Sequence, residues 1–333
     1  MSTEIAGAEK TVTVHLEAET QWEIAPGHVV LGYGLNGQVP GPTIEADVGD
    51  TLVVELTNAL SEPTSIHWHG LRVPAEMDGT ELVQQPIQPG ETFEYRFVLP
   101  DAGTFWYHPH VNETVQLEKG LYGALVVRGH DEPRLDGERV LVLDDLKLDR
   151  KGDIARFGGF RERHDGRLGD TRLVNGEAAP ELEIAAGQVE RWRIVNASSS
   201  RYALLSIGGR PFTILGTDGG LIPKLVAAEQ VLLAPADRVE LAVGPFSEGE
   251  TFALESLPYD RGMVKNDGGR YATVRVGISG TNDILIVLAW VLSVAWMIWL
   301  VLVARRMPES RPIAWPDEGV TRTAATSPTI THR

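Results

Sequence analysis

The stretch PTIEADVGDTLVVELTNA, residues 42–59, aligns without a gap on PELEIAAGQVERWRIVNA, residues 180–197. Proline, glutamate, glycine, asparagine and alanine stand at the same places in both copies. An Asn-Gly pair precedes each copy, at 36–37 and at 175–176. Each copy holds two short apolar runs that a glycine separates, which is the pattern of two β-strands joined by a turn. The sequence therefore predicts an internal repeat of one all-β unit.

The rest of the chain before Thr281 keeps the same character. Short apolar runs alternate with Gly-Pro, Pro-Gly, Asp-Gly and Asn-Gly turns, and no long stretch shows a sustained helical period. The 35 glycines and 20 prolines among 333 residues suit strands and turns better than a helical bundle. A polar, turn-rich segment at 129–135 (GHDEPRL) separates the copies. We expect two all-β domains, residues 1–130 and 131–281.

Composition excludes several classes of function. The formal net charge of −16 argues against general affinity for nucleic acid, because such affinity needs a basic face. The chain contains no cysteine. Disulfides, thiolate zinc sites, iron–sulfur clusters, cysteine nucleophiles and blue-copper thiolates are therefore impossible within these residues.

One segment differs sharply from the rest. Residues 284–304 form a run of 21 residues whose only polar side chain is Ser293. A helix of that length spans about 32 Å at ~1.5 Å per residue, which matches a hydrocarbon core of ~30 Å. The sequence predicts a transmembrane helix at 282–304 and a disordered tail, rich in Pro, Thr and Ser, at 305–333.

Four of the nine histidines form two His-x-His pairs, His67 with His69 and His108 with His110. In an extended segment, residues i and i+2 point to the same face, so each pair presents two imidazoles side by side. Imidazole is a preferred protein ligand of copper and zinc. A single pair is more often structural, but two pairs in one domain favour a metal site. Pro109 lacks a backbone N–H, so we expect its segment to end a strand or lie on an edge.

These motifs resemble a known family. Five stretches are similar to motifs in the first cupredoxin domain of multicopper oxidases: HWHG at 67–70, MDG at 77–79, QPIQPG at 85–90, TFWYHPH at 104–110 and GLYG at 120–123. The second domain of three-domain members is similar to LVNG at 173–176, WRIVNA at 192–197 and GTDGG at 216–220. The resemblance implies an all-β fold of two tandem cupredoxin-like Greek-key β-sandwiches, followed here by one C-terminal transmembrane helix.

The resemblance also implies copper as the cofactor. The first histidine of HWHG ligates the type 2 copper in the family, which corresponds to His67. The type 3 ligands correspond to His69, His108 and His110. The second repeat has LSIG at 205–208 in the equivalent place and offers no ligand. Asp78 is followed by Gly79, and the pair is more typical of a turn than of an imidazole-orienting carboxylate.

The chain departs from the family in what it lacks. The family's third domain supplies four more histidines to the trinuclear cluster, together with the Cys and His ligands of the type 1 copper. These 333 residues hold half of the cluster ligands and no type 1 site. Oxidoreductase activity, in which one-electron substrate oxidation is coupled to reduction of dioxygen to water, is therefore expected only with a partner that supplies the third domain.

Three interpretations stay open. The chain could be one part of a split oxidase, completed by a Cys-bearing cupredoxin chain or by a homo-oligomer. It could instead be a membrane-tethered protein that binds or sequesters copper without turnover, or a truncated relic. A neighbouring reading frame with a His-Cys-His cupredoxin would favour the first, and loss of copper binding would favour the third. Copper binding is expected to weaken below about pH 6.5, where imidazoles ordinarily protonate.

The charges around the apolar run predict a topology. Asp283 precedes the run and Arg305 and Arg306 follow it, so the tail should be cytoplasmic and the copper domains extracytoplasmic. Residues 1–10 contain no apolar signal segment, which makes export of the N-terminal domains difficult and suggests that a start codon lies upstream of Met1. Protease added to intact cells should remove the N-terminal domains. Their full protection would place the histidines inside the cell.

Overall fold

The computed structural model describes residues 10–25, 28–262 and 265–277, all of which fall in one compact unit. The predicted transmembrane helix at 282–304 and the predicted tail at 305–333 lie outside the described residues. Within the described ranges, no helix combines the length and the apolar character that crossing a membrane requires.

The described part of the chain is almost entirely β-structure, which confirms the all-β prediction. Its N-terminal half contains β1 Thr11–Ala25, β2 His28–Leu35, β3 Gly41–Asp47, β4 Thr51–Asn58, β5 His67–His69, β6 Thr92–Val98, β7 Gly103–His108 and β8 Gly123–Arg128. Its C-terminal half contains β9 Gly137–Leu146, β10 Thr171–Val174, β11 Glu177–Ala178, β12 Glu181–Ala185, β13 Glu190–Asn196, β14 Ala203–Ile207, β15 Phe212–Thr217, β16 Gly220–Ala228, β17 Gln230–Leu233, β18 Arg238–Val243, β19 Thr251–Leu257, β20 Tyr259–Asp260, β21 Lys265–Asn266 and β22 Gly269–Gly277. The helical segments are a 3-10 turn at Ala75–Met77, α1 at Glu113–Glu118 and α2 at Phe160–Asp165.

Each half is built from two main sheets around a core of its own, and the C-terminal half adds the two-stranded sheet β20-β21. The N-terminal half has the strand orders β2-β1-β4-β6 and β3-β8-β7-β5. Leu52 and Val54 of the first sheet and Trp68 and Phe105 of the second share one buried apolar cluster. The C-terminal half has the orders β11-β10-β9-β13-β18-β15-β16 and β12-β22-β19-β14-β17, around a second cluster that includes Trp192. Alternating side chains of paired sheets fill both cores.

The internal repeat is visible in the strand pairing. The parallel pair β1 with β4 corresponds to β9 with β13, and the parallel pair β3 with β8 corresponds to β12 with β22. The Asn-Gly pairs adopt the left-handed conformation in both copies, with φ of 55° at Asn36 and 51° at Asn175. Each asparagine amide bridges two backbone positions of the first strand, His15 and Glu17 in one copy. Asn175 makes the same two bonds, to Val140 and Val142. The predicted repeat is therefore confirmed.

An apolar cluster joins the halves. The N-terminal half contributes Trp106, Leu117 and Tyr122, and the C-terminal half contributes Val142 and Leu173, all buried. The connection between β8 and β9 contains the predicted domain boundary at 130/131. That boundary stays a prediction, since both halves lie in the same compact unit.

A buried network of charges accompanies this cluster. Glu240 of β18 accepts hydrogen bonds from the Thr104 hydroxyl of β7 at 2.8 Å and from Arg193 Nη1 at 2.6 Å. Glu132, in the segment that connects the halves, accepts from Arg191 and Arg193 at 2.8 and 2.6 Å. The two guanidinium groups are therefore held between a carboxylate of the connection and a carboxylate of the second half.

Glu240→Gln should destabilise the fold by about 3 kcal/mol, because it leaves buried arginine charge without its partner. Glu181→Gln provides the matched control, since the pair of Glu181 with Arg275 is exposed and its loss should change the free energy of unfolding far less. Urea unfolding measures both changes. Equal losses in the two variants would contradict a structural role for the buried network.

Candidate metal centre

The pairing of β5 with β7 positions the first three histidines. His67 lies opposite His108, Trp68 opposite Tyr107 and His69 opposite Trp106. Side chains alternate along each strand, so Trp68 and Tyr107 point into the N-terminal core, where both are fully buried. His67, His69 and His108 consequently share the opposite face of the sheet. The same-face prediction for the His67/His69 pair is confirmed.

The strand ends bring in the fourth histidine. β7 ends at His108, immediately before Pro109, as the missing N–H of proline predicted. The backbone N–H of His110 donates to Ser65 Oγ at 3.2 Å, which ties the turn to the residues preceding β5. β5 ends before Gly70, which has φ of +84°, and a Cβ there would lie 2.2 Å from Nη2 of Arg238. This close approach requires glycine.

All four predicted histidines come together in the structure. The ring centroids of His67 and His110 lie 4.6 Å apart, and those of His69 and His108 lie 5.5 Å apart. His67, His108 and His110 each offer a ring nitrogen within 4.8 Å of the others. The Nδ1 atom of His69 lies 3.2 Å from Nε2 of His108.

Hydrogen bonds to the backbone orient two of the rings. Nδ1 of His67 lies 2.9 Å from the carbonyl oxygen of Asp78, and Nδ1 of His108 lies 3.0 Å from the carbonyl oxygen of Pro109. A carbonyl can only accept, so Nδ1 carries the proton in both rings and Nε2 keeps its lone pair. Both lone pairs are therefore available to a metal ion.

The donor set fits a metal ion that prefers imidazole. Ring nitrogens at about 2.0–2.1 Å from one ion lie about 2.9–3.4 Å apart when the angle between them is about 90–109°. The 3.2 Å between His69 Nδ1 and His108 Nε2 falls in that range. Four imidazoles without a thiolate suit copper, with zinc lower in the affinity order.

Burial favours the neutral form of three of these imidazoles, those of His67, His69 and His108. Desolvation is the largest cause that lowers the pKa of His67, and it lowers the pKa of His69 to about 4 and that of His108 to about 3. The Arg238 guanidinium adds to the effect at His69. A neutral imidazole is the form that binds a metal ion. The lone pairs of His69 and His108 thus persist well below the pH of about 6.5 expected from unperturbed histidine.

Two carboxylates border the site. Asp78 caps the 3-10 turn, which confirms the predicted turn, yet its Oδ1 also lies 3.4 Å from Nδ1 of His67. Glu113, the first residue of α1, has Oε2 3.3 Å from Nδ1 of His110. The spacing His110-x-x-Glu113 at the start of a helix was the available sequence signal, and the motif reasoning missed it.

The second half also reaches the site. Asp218, in the GTDGG stretch of the second copy, accepts a hydrogen bond from the Arg238 backbone N–H and forms an ion pair with its guanidinium at 3.0 Å. Arg238 Nε donates to the carbonyl oxygen of Thr104 in β7. The second half contributes no predicted metal ligand. Through Arg238 it nevertheless contacts the strand that carries His108 and lies against Gly70, which follows His69.

Comparison with known proteins identifies relatives of the chain. A family model described as multicopper oxidase matches residues 18–132. Multicopper oxidase MmcO of Mycobacterium tuberculosis is 34% identical over 279 residues, covering 74% of this chain and 54% of that protein. Cell division protein FtsP of Xenorhabdus nematophila is 35% identical over 238 residues, covering 68% of this chain and 49% of that protein.

A solved structure gives the same result. A multi-copper oxidase from Pseudomonas thermotolerans superposes with a TM-score of 0.74 at 36% identity, over 82% of this chain and 65% of that chain. The described strands thus resemble the cupredoxin-type domains of multicopper oxidases. The chain spans about half the length of the curated relatives it matches.

Replacing His108 with glutamine should make the metal-free fold less sensitive to acid. His108 stays neutral when folded, with a pKa of about 3, whereas the unfolded chain protonates this residue below about 6.5. The unfolded state binds more protons in that window, so the free energy of unfolding falls as the pH drops through it. Protonation of His108 in the unfolded chain should lower the free energy of unfolding by about 2 kcal/mol at pH 5 relative to pH 8. Urea titrations should show that His108→Gln loses about 2 kcal/mol less over the same interval; equal losses would contradict the burial effect.

Proposed function

The chain belongs to the multicopper oxidase family, and we propose that His67, His69, His108 and His110 bind copper as half of a trinuclear cluster. The observation that carries this proposal is the convergence of four imidazoles on one side of the β5/β7 pair. By resemblance, His67 takes the type 2 position and the other three take type 3 positions. Copper bound there would supply one-electron redox chemistry and affinity for dioxygen.

The residues of this chain hold and shape the site. The carbonyl oxygens of Asp78 and Pro109 keep a proton on Nδ1 of His67 and His108 and leave Nε2 free. Trp106 packs against the His108 ring at 4.3 Å and against the His69 ring at 5.2 Å, which restricts both rings and excludes water from that side. His67 and His110 remain partly exposed, so the site stays open on the side where further ligands would enter.

The remaining ligands would come from a Cys-bearing cupredoxin domain outside these 333 residues. The chain contains no cysteine, and a type 1 copper needs a thiolate for fast electron entry. A second copy of the chain could add four histidines but no thiolate. Oxidase activity is therefore proposed for the assembly with such a domain and not for this chain alone.

We keep copper sequestration without turnover as the second candidate. Burial favours the neutral, metal-binding form of His67, His69 and His108, which is sufficient for binding a metal ion but not for a redox cycle. One relative at 35% identity carries the name of a cell division protein and not that of an oxidase. Under either proposal the run at 284–304 would anchor the chain in a membrane, with the histidines on the extracytoplasmic side.

One experiment separates these functions. Full-length protein in detergent should retain copper after dialysis, measured by elemental analysis, and should lack both intense blue absorption and oxygen uptake with phenolic or metal-ion reductants. The His67→Ala/His108→Ala variant should lose the copper, because it removes a ring from each strand; equal retention would exclude this site. A separately expressed cupredoxin domain with a His-Cys-His motif should restore absorption and oxygen uptake together. Copper retention without rescue by any such domain would favour sequestration.

A further inference from the structure

The Nδ1 atoms of His67, His108 and His110 all lie near a carboxylate, but those of His67 and His108 also have a backbone partner. His67 and His108 each face a backbone carbonyl oxygen with Nδ1. Among the hydrogen bonds of the described residues, none joins the His110 ring to a backbone carbonyl. The carboxylate of Glu113 forms an ion-pair contact with the ring, with Oε2 at 3.3 Å from Nδ1.

We propose that Glu113 is a positioning residue for His110, whose Nδ1 proton it holds so that Nε2 turns toward the other imidazoles. Its second oxygen, Oε1, lies 4.0 Å from Nδ1 of His108, so one carboxylate borders two rings of the cluster. Ligating histidines commonly donate their other N–H to a carboxylate or a carbonyl, and this contact fixes the tautomer. The orienting role stands on the geometry alone, whereas its effect on copper rests on the proposed function.

The backbone at Glu113 is held in place from both sides. Asn112 precedes it with φ of 46°, and its Nδ2 donates to Glu62 Oε2 at 3.1 Å. Gln116, one turn later, accepts from the Thr64 hydroxyl and donates to the Pro63 carbonyl oxygen, both at 2.8 Å. Residues 63–64 lead directly into the segment that carries His67. The same contacts therefore fix Glu113 relative to two parts of the site.

The far end of α1 is anchored in the second half of the molecule. Glu118 is buried and forms an ion pair with the buried Arg167 at 2.9 Å. Its carboxylate also accepts hydrogen bonds from the Lys147 backbone N–H and the Ser199 hydroxyl. A helix of six residues held at its middle and its end cannot rotate freely, so the backbone of Glu113 stays beside the imidazoles and its carboxylate can reach them.

Two other roles would produce a similar arrangement. An ordinary surface pair between residues three apart contributes little and would not control a ring tautomer. A carboxylate that itself ligates copper would affect metal binding without orienting His110 in the metal-free protein. The tautomer of the metal-free ring distinguishes the three roles.

The test uses full-length protein with ¹⁵N-labelled histidine, compared as wild type, Glu113→Ala, Glu113→Gln and Glu81→Ala. Glu81 is exposed and provides a charge-matched control. Long-range ¹⁵N–¹H spectra of the metal-free protein should show the Nδ1–H tautomer for His110 in wild type and a mixture in Glu113→Ala. His67 should be unchanged in every variant. Copper affinity should fall about 10–100-fold in Glu113→Ala, less in Glu113→Gln, and not at all in Glu81→Ala.

The outcomes are separable. An unchanged His110 tautomer in Glu113→Ala overturns the proposal, whether copper binding persists, as for a surface pair, or is lost, as for a direct ligand. A tautomer change in a protein whose wild type binds no copper supports the orienting role and contradicts the proposed function instead. A tautomer change that includes His67 would indicate general loosening of the site and would also overturn the proposal.

Discussion

The antiparallel pairing of β5 with β7 is the constraint on which the rest of the site depends. Trp68 and Tyr107 are held in the N-terminal core from adjacent strands, so the residues that flank them must point to the other side. A shift of one residue in this register would bury His67 and His69 in an apolar core and expose Trp68. The hydrophobic effect on two aromatic side chains thereby fixes where three imidazoles stand, before any interaction with a metal ion.

The sequence was sufficient for features that depend on local pattern. The repeat follows from matching residues, and Asn36 and Asn175 indeed make equivalent turns. The shared face of His67 and His69 follows from strand periodicity. The contacts of Glu113 with His110 and of Arg238 with Gly70 depend on how helices and halves pack, and the lowered pKa of His108 depends on burial. Such effects arise only in the assembled fold, so periodicity and composition did not reveal them.

The second half of the molecule contributes to the site without contributing a ligand. It contacts the strand of His108 through Arg238, and it holds the far end of α1 through Arg167. A repeat that kept its fold without the His-x-His pairs therefore still determines the arrangement of the histidines in the other copy. The ligand-bearing half and the ligand-free half form one functional unit in this sense.

The apolar cluster and the buried charges between the halves also make folding cooperative across them. A fragment that stopped after β8 would expose Trp106 and Leu117 to water and would leave Thr104 without its carboxylate partner. The complementary fragment would expose Val142 and Leu173 and would leave the buried Glu240 carboxylate without the Thr104 hydroxyl. Each fragment alone would expose an apolar surface that promotes aggregation. The nascent first half would therefore be prone to aggregate until the second half has been synthesised.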